Sequence, residues 1–263
     1  MSLRIRYKWF KPELVLLFIA VLFLQIRAAK AGEGEDGFKA ANELYAKGKY
    51  QEAISAYQKL TSAGYRSAPL YFNLGNAFYR TGNISSAILY YEKAHKLDPS
   101  DEDIKMNVAI ANLKTIDKVE AAPDFFLFRW WRGLILLFSL NTLAWLAVLF
   151  LLPGSLCFAA YLFAQTVRGK KLAFFSGLGL SLVSVVFLFL ANRQAAYFSN
   201  NRQAIIMRSS TPVKSGPSST YPTTFVIHPG TKVTLVSEKP GWLRVKLAND
   251  STGWVRAQDL ETI

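Results

Sequence analysis

The residues in this chain that could do acid–base or nucleophilic chemistry are few and far apart. The two histidines are His95 and His228, and the one cysteine, Cys157, lies in an apolar run. A catalytic nucleophile needs a base within hydrogen-bond reach, and a metal centre needs several clustered ligands. No HExxH, GxSxG, phosphate-cradling glycine loop or Cys–His pairing is present, and one cysteine allows no intrachain disulfide. Asp101, Glu102 and Asp103 stand together, but at the start of an expected helix, where carboxylates accept orphan amide hydrogens and oppose the helix dipole. His95 falls near the end of another expected helix, where a cation meets the dipole favourably, and His228 precedes Pro229 in a turn. The sequence therefore predicts no enzyme, no cofactor and no metal site. The chemistry left to it is recognition by aromatic and amide side chains.

Such side chains recur in step. Asn42 and Asn76, Leu44 and Phe78, Gly48 and Gly82, Ala53 and Ala87, and Tyr57 and Tyr91 are each 34 residues apart. This period marks a helix–turn–helix unit that cannot bury its apolar face alone and must stack on a neighbour. In the second copy, Tyr71, Leu74, Gly75, Phe78, Ala87, Tyr91, Ala94 and Pro99 resemble the tetratricopeptide repeat consensus. The first copy is looser: Ala41, Leu44, Ala53, Tyr57 and Leu60 fit, but Gly37 stands where a large aromatic is usual and Tyr65 where proline is usual. The repeats are 34–67 and 68–101, followed by a capping helix over 102–115, which makes a helical solenoid of residues 34–118.

The resemblance implies that the first helix of each repeat lines a concave groove. Those positions hold Phe38, Asn42, Tyr45, Phe72, Asn76, Tyr79, Arg80 and Met106. Asn42 and Asn73 coincide with the two asparagines of the type that clamps a peptide C-terminus, but Phe38, Asp103 and Asn107 replace its basic residues. An extended backbone or an apolar helix is therefore the expected ligand. The alternative is that Phe38 and Phe72 only close a short solenoid.

The formal charge of +13 suggests nucleic acid until its distribution is considered. Residues 32–123 carry eleven Lys and Arg against twelve acids, whereas 1–31 carry six against one and 124–192 five against one. Charge that flanks apolar runs orients a chain in a membrane, so no nucleic-acid partner is expected. Residues 1–31 read as an export signal: Arg4, Arg6, Lys8 and Lys11 precede the apolar core Leu14 to Leu24, and Ala29-Lys30-Ala31 offers a cleavage site, the alternative being an uncleaved anchor. Residues 125–140, with Trp130, Trp131, Arg129 and Arg132, suit a helix lying at the lipid–water boundary. Two crossings are expected, over 143–164 with a kink near Pro153 and over 172–190, with Gly177 and Gly179 permitting close helix approach. Arg168-Gly169-Lys170-Lys171, taken as the loop between them, should stay cytoplasmic, which leaves both ends of the hairpin outside.

Residues 204–263 contain short alternating runs broken by Lys239-Pro240-Gly241 and Ala248-Asn249-Asp250, which predicts a small five-stranded barrel. Val213 to Ser218, Pro229-Gly230-Thr231-Lys232-Val233, and the paired Gly241-Trp242 and Gly253-Trp254 resemble bacterial SH3 domains. Tyr221, Trp242 and Trp254 are candidates for a platform that grips a peptide or peptidoglycan stem, with at least one Trp expected in the core.

The order of signal, repeats, two membrane helices and terminal barrel resembles the BatE family of the Bat aerotolerance operon. Lys96-Leu97-Asp98-Pro99 and Trp130-Trp131-Arg132 also look like that family. The resemblance implies a multi-pass inner-membrane scaffold whose repeats and barrel face the periplasm. Its implied partners are von Willebrand A-domain Bat proteins and a MoxR-type ATPase, besides the lipid bilayer. The rival reading is a cell-wall sensor that binds peptidoglycan through the barrel.

Overall fold

A computed structural model describes residues 34–119 and 125–263 of the chain; the expected signal, 1–31, lies outside them. The chain divides into two compact units at Tyr65/Arg66.

In the first unit, helix α1 (34–46) and helix α2 (Tyr50–Ser62) form one hairpin. Gly48 lies at the turn with φ +75°, a left-handed conformation that costs glycine nothing and other residues strain. Ala41, Ala53, Ile54, Tyr57 and Leu60 are the buried face.

The second unit opens with α3 (Ala68–Arg80), α4 (Ile84–Leu97) and α5 (Glu102–Asn112). Each starts on a side-chain cap: Ser67 accepts from the Leu70 amide at 3.3 Å, Asn83 from Ser86 at 3.1 Å and Asp101 from Ile104 at 3.1 Å. Gly82, φ +81°, repeats the Gly48 turn one period later. Gly75 is required where α3 meets α4, because a Cβ there would sit 2.6 Å from the Tyr91 ring.

Helices α6 (Phe126–Ile135), α7 (Leu140–Phe163) and α8 (Val167–Asn200) follow. The expected single boundary helix over 125–140 stops at Ile135. Gln194 donates from Nε2 to the Ile135 and Phe138 carbonyls at 2.9 and 2.8 Å, which satisfies oxygens that the chain leaves unpaired as it turns. Ser139 then caps α7. Pro153 lies inside continuous helix. Both α7 and α8 are long and apolar enough to cross a membrane, and only 11% of the most apolar window of each is buried within the chain. At ~1.5 Å per residue α8 is ~51 Å long, well beyond ~30 Å of hydrocarbon.

The hairpin packs through small residues. A Cβ on Gly154 would meet Ser181 Oγ at 2.9 Å, and one on Gly177 would meet Cys157 Cβ at 3.3 Å. Ser184 donates to the Ala147 carbonyl at 2.8 Å, and Phe150 stacks on Phe187 at 5.7 Å. Gly179 faces open space, so the close approach uses Gly154 with Gly177 instead. The basic run is not a free loop either. Thr166 caps α8 through the Gly169 amide, which draws Arg168, Lys170 and Lys171 into the first helical turns.

The barrel has seven short antiparallel strands rather than five: β1 (Gln203–Ile206), β2 (Thr211–Lys214), β3 (Thr223–Ile227), β4 (Lys232–Lys239), β5 (Trp242–Lys246), β6 (Thr252–Arg256) and β7 (Leu260–Thr262). Their order is β3-β2-β6-β5-β4-β1-β7. Strand β1 buries Ala204, Ile205 and Ile206 in succession, without the alternation that reveals strands in sequence. Ile206, Val213, Ile227, Val233, Val245 and Val255 centre the core. Gly241, φ +73°, closes the β4–β5 hairpin.

Candidate interaction surfaces

The two repeats hold their aromatic residues in the same way, 34 residues apart. In the first, the Tyr57 hydroxyl donates to Asn42 Oδ1 at 2.6 Å and its ring lies 6.1 Å from Phe38 at 50°. In the second, Tyr91 donates to Asn76 Oδ1 at 2.7 Å and lies 5.8 Å from Phe72 at 46°. Tyr57 is 0% and Tyr91 2% exposed, so each hydroxyl needs an acceptor inside its own hairpin. The asparagine supplies it from the first helix. Spacing alone gave no sign of this pairing, which ties four groove positions to the second helix of their own repeat. Tyr45 packs edge-on against Tyr50 at 5.2 Å. On α3, Asn73 is half-buried and Arg80 exposed, while the Lys114 ammonium lies 4.4 Å over the Tyr79 ring. Met106, on α5, is 62% exposed.

Helix α4 and the segment after α5 are joined to the barrel within the second unit, a feature the sequence did not disclose. The Asp117 carboxylate takes three hydrogen bonds: from the His228 amide at 2.7 Å, through His228 Nδ1 at 2.8 Å, and from the Thr231 hydroxyl at 2.7 Å. Burial pushes the Asp117 carboxyl up. The bonds from Thr231 and His228 outweigh it and hold the carboxyl below its ordinary value. Lys232 pairs with the buried Glu92 at 2.7 Å, and Lys93 with Glu261 at 2.9 Å. Gly230, φ +88°, lets the β3–β4 turn press on Ile88 and Thr115, which a Cβ would meet at 3.1 and 2.8 Å.

His95 lies beside this junction, and the expectation of a cation on the helix dipole is corrected there. Burial pushes its imidazole down, Lys232 and Lys105 add to that, and Glu92 opposes it only in part. Its Nδ1 is buried without a hydrogen-bond partner among the described residues. The half-buried seat thus favours the neutral imidazole over the cation.

On the barrel, strand alternation sends Leu243, Val245 and Val255 inward and the tryptophans outward. Neither Trp242 nor Trp254 belongs to the core cluster, and both are half-buried on the outer face. Trp242 stands opposite Arg256 and Trp254 opposite Arg244 and Lys214, so aromatic and cationic side chains alternate across β2, β6 and β5. The Arg256 guanidinium lies 5.8 Å from the Trp242 ring centre. These two border a groove of about 510 Å³ with Ser218, Pro240 and Gly241. Tyr221, 47% exposed, lies in the β2–β3 loop with its ring against Gly216 and is not among the groove's lining. No set of three or more His, Cys, Asp or Glu among the described residues is arranged to hold a metal ion.

Comparison with known proteins matches each module separately. Residues 38–102 match the tetratricopeptide repeat family and 209–261 the bacterial SH3 domain family. A human protein, tetratricopeptide repeat protein 6, is 37% identical over 65 residues, which are 25% of this chain and 12% of that protein. The chain thus spans only a small part of that relative, and the likeness is confined to the repeats. The 34-residue hairpins and the seven-stranded barrel are accordingly a tetratricopeptide repeat region, suited to protein–protein interaction, and a bacterial SH3 domain of the peptidoglycan-binding type, carried on one chain.

Proposed function

We propose that this protein is a non-enzymatic scaffold of the bacterial cell envelope, anchored in the inner membrane by α7 and α8. One observation carries the reading. Both helices turn apolar side chains outward, with only 11% of each apolar window buried, and a soluble core helix would be mostly buried. Lipid is the solvent that such a surface requires. Arg168, Lys170 and Lys171 at the tight end of the hairpin support a cytoplasmic turn, which leaves the repeats and the barrel together in the periplasm.

The repeats then recruit a protein partner along their first helices, through Phe38, Asn42, Tyr45, Phe72, Asn73, Asn76, Tyr79, Arg80 and Met106. The resemblance to the BatE family suggests von Willebrand A-domain proteins and a MoxR-type ATPase complex as that partner set. Alkaline phosphatase fused after Ile263 tests the topology: an active fusion is expected, and an inactive but stably produced one overturns it. Crosslinking in native membranes through positions 38–110 tests the partner. Capture of no von Willebrand A-domain protein, from cells that make one, overturns the Bat assignment.

A second reading is favoured by the Trp242–Arg256 groove. An aromatic ring beside an arginine, with no carboxylate in the lining, suits a peptidoglycan stem that carries a free carboxylate. Co-sedimentation of the detergent-solubilised protein with purified wall material tests it. Binding that survives Trp242→Ala and Arg256→Ala counts against this groove.

A further inference from the structure

Helix α5 closes the repeats with an apolar outer face. Steps of 34 residues from Phe38, Asn42 and Tyr45 lead to Phe72, Asn76 and Tyr79, and then to Met106, Ile110 and Leu113. In the first two registers the asparagine accepts from a buried tyrosine of the following helix. The next described element after α5 is α6, at Phe126, so Ile110 has no such tyrosine to serve among the described residues. Met106, Ile110 and Leu113 are 62%, 39% and 76% exposed. At i, i+4 and i+7 they form one ridge. The end of a repeat array normally turns polar side chains to water, so a ridge of large apolar ones marks a contact surface.

The charges at the two ends of the ridge select what covers it. Asp101, Glu102 and Asp103 make the start of α5 acidic. Lys114 and Lys118, both exposed, make its end basic, and Lys118 Nζ donates to the Asn112 and Leu113 carbonyls at 2.9 and 2.8 Å. The backbone stays helical through Leu113, so Asp103 and Lys114, about three turns apart, share one flank of the ridge. We propose that α5 pairs antiparallel with the α5 of a second copy of this chain, about a two-fold axis near Ile110. That axis keeps each flank on its own side and reverses its direction, which lays Asp103 of either copy beside Lys114 of the other. The midpoint of Asp103 and Lys114 and the midpoint of Met106 and Leu113 differ by ~1.5 Å of helix rise, so one axis serves both charges and ridge. A parallel pair would instead set acid against acid. Lys114 lies over the Tyr79 ring, a contact that leaves ammonium hydrogens for a carboxylate. Three apolar side chains from each copy make a weak interface, but two copies held in one bilayer meet at a high effective concentration. The strength of the pairing therefore rests on the membrane reading above.

The test uses the full chain in native membranes, with Cys157→Ser and Ile110→Cys, treated with a short bismaleimide and read on a denaturing gel. A residue near a two-fold axis meets its own copy, so a cross-linked dimer should form. Lys105→Cys in place of Ile110→Cys, ~140° around the helix from it, should give about tenfold less. In the Ile110→Cys chain, Asp103→Lys or Lys114→Asp should each lower the dimer about tenfold, because the two-fold makes every change of sign count twice. The two together should restore it, a rescue that misfolding does not produce. No dimer from Ile110→Cys, an undiminished dimer in the single charge variants, or no rescue in the double overturns the proposal. A cross-link from Ile110→Cys to a different protein in place of a second copy also overturns it, because the ridge then belongs to the partner-binding groove. A chain recovered in the soluble fraction without detergent overturns the membrane reading itself. The dimer is then read in that fraction, which keeps the two failures apart.

Discussion

Replacing Asp117 by Ala should loosen the repeat–barrel junction, and its size follows from the bonds removed. The carboxylate receives the His228 amide at 2.7 Å, His228 Nδ1 at 2.8 Å and the Thr231 hydroxyl at 2.7 Å. Hydrogen bonds to a charged group contribute ~1.5–3 kcal/mol each, but the three share one acceptor group and do not add in full. Thr231 keeps a second acceptor in the His228 carbonyl at 2.8 Å, so the loss concentrates on His228. We expect a cost of about 2–4 kcal/mol, the lower bound of which is roughly a thirtyfold rise in opening. Hydrogen exchange of the full chain in detergent reads this at residues 228–231. Asp117→Asn should fall between the two, since it keeps the shape and loses the charge. The carboxyl is held below its usual range, so its contribution is complete above the unfolded value of about 3.9 and disappears as pH falls through the lower folded value. The wild type and Asp117→Ala should therefore differ fully at pH 5 and begin to converge only as pH falls below about 3.9 toward the lower folded value. Unchanged exchange at 228–231 in the variant, or a difference that persists undiminished to pH 2, would refute the reasoning.

Three other outcomes follow from contacts already described. Gly177→Cys should form a disulfide with Cys157 on mild oxidation, because its Cβ would lie 3.3 Å from the Cys157 Cβ; both thiols should then resist maleimide until reduced, and free thiols after oxidation would disprove the α7–α8 register. Gly75→Ala should lower the melting temperature, since a Cβ 2.6 Å from the Tyr91 ring costs ~1–3 kcal/mol of overpacking, against a helix-propensity gain of ~1. Tyr91→Phe removes the bond to Asn76 and leaves that amide oxygen short of a partner, for a loss of about 1 kcal/mol in denaturant unfolding; a variant as stable as the wild type would show the bond to be incidental.

The sequence by itself determined the modules. A 34-residue period, an apolar hairpin and paired Gly-Trp turns are local signals, because each reflects a backbone or burial requirement that acts over a few residues. Gly48 and Gly82 had to be glycine at their turns, and Asp101 could be read as a cap from the helix that follows it. What no local pattern carried was pairing between distant residues. Asp117 meets His228 across 111 positions, Glu92 meets Lys232 across 140, and Gln194 reaches back to Ile135 across 59. Glu92 and Gln194 are buried and Asp117 is half-buried, and the partner of each is chosen by how the elements pack. The same holds for Trp242 and Trp254, at least one of which was expected in the core and both of which strand alternation places outside it. Strand β1, buried without alternation, was hidden for that reason. Spacing encodes an element's own faces, and only tertiary packing decides what each face meets.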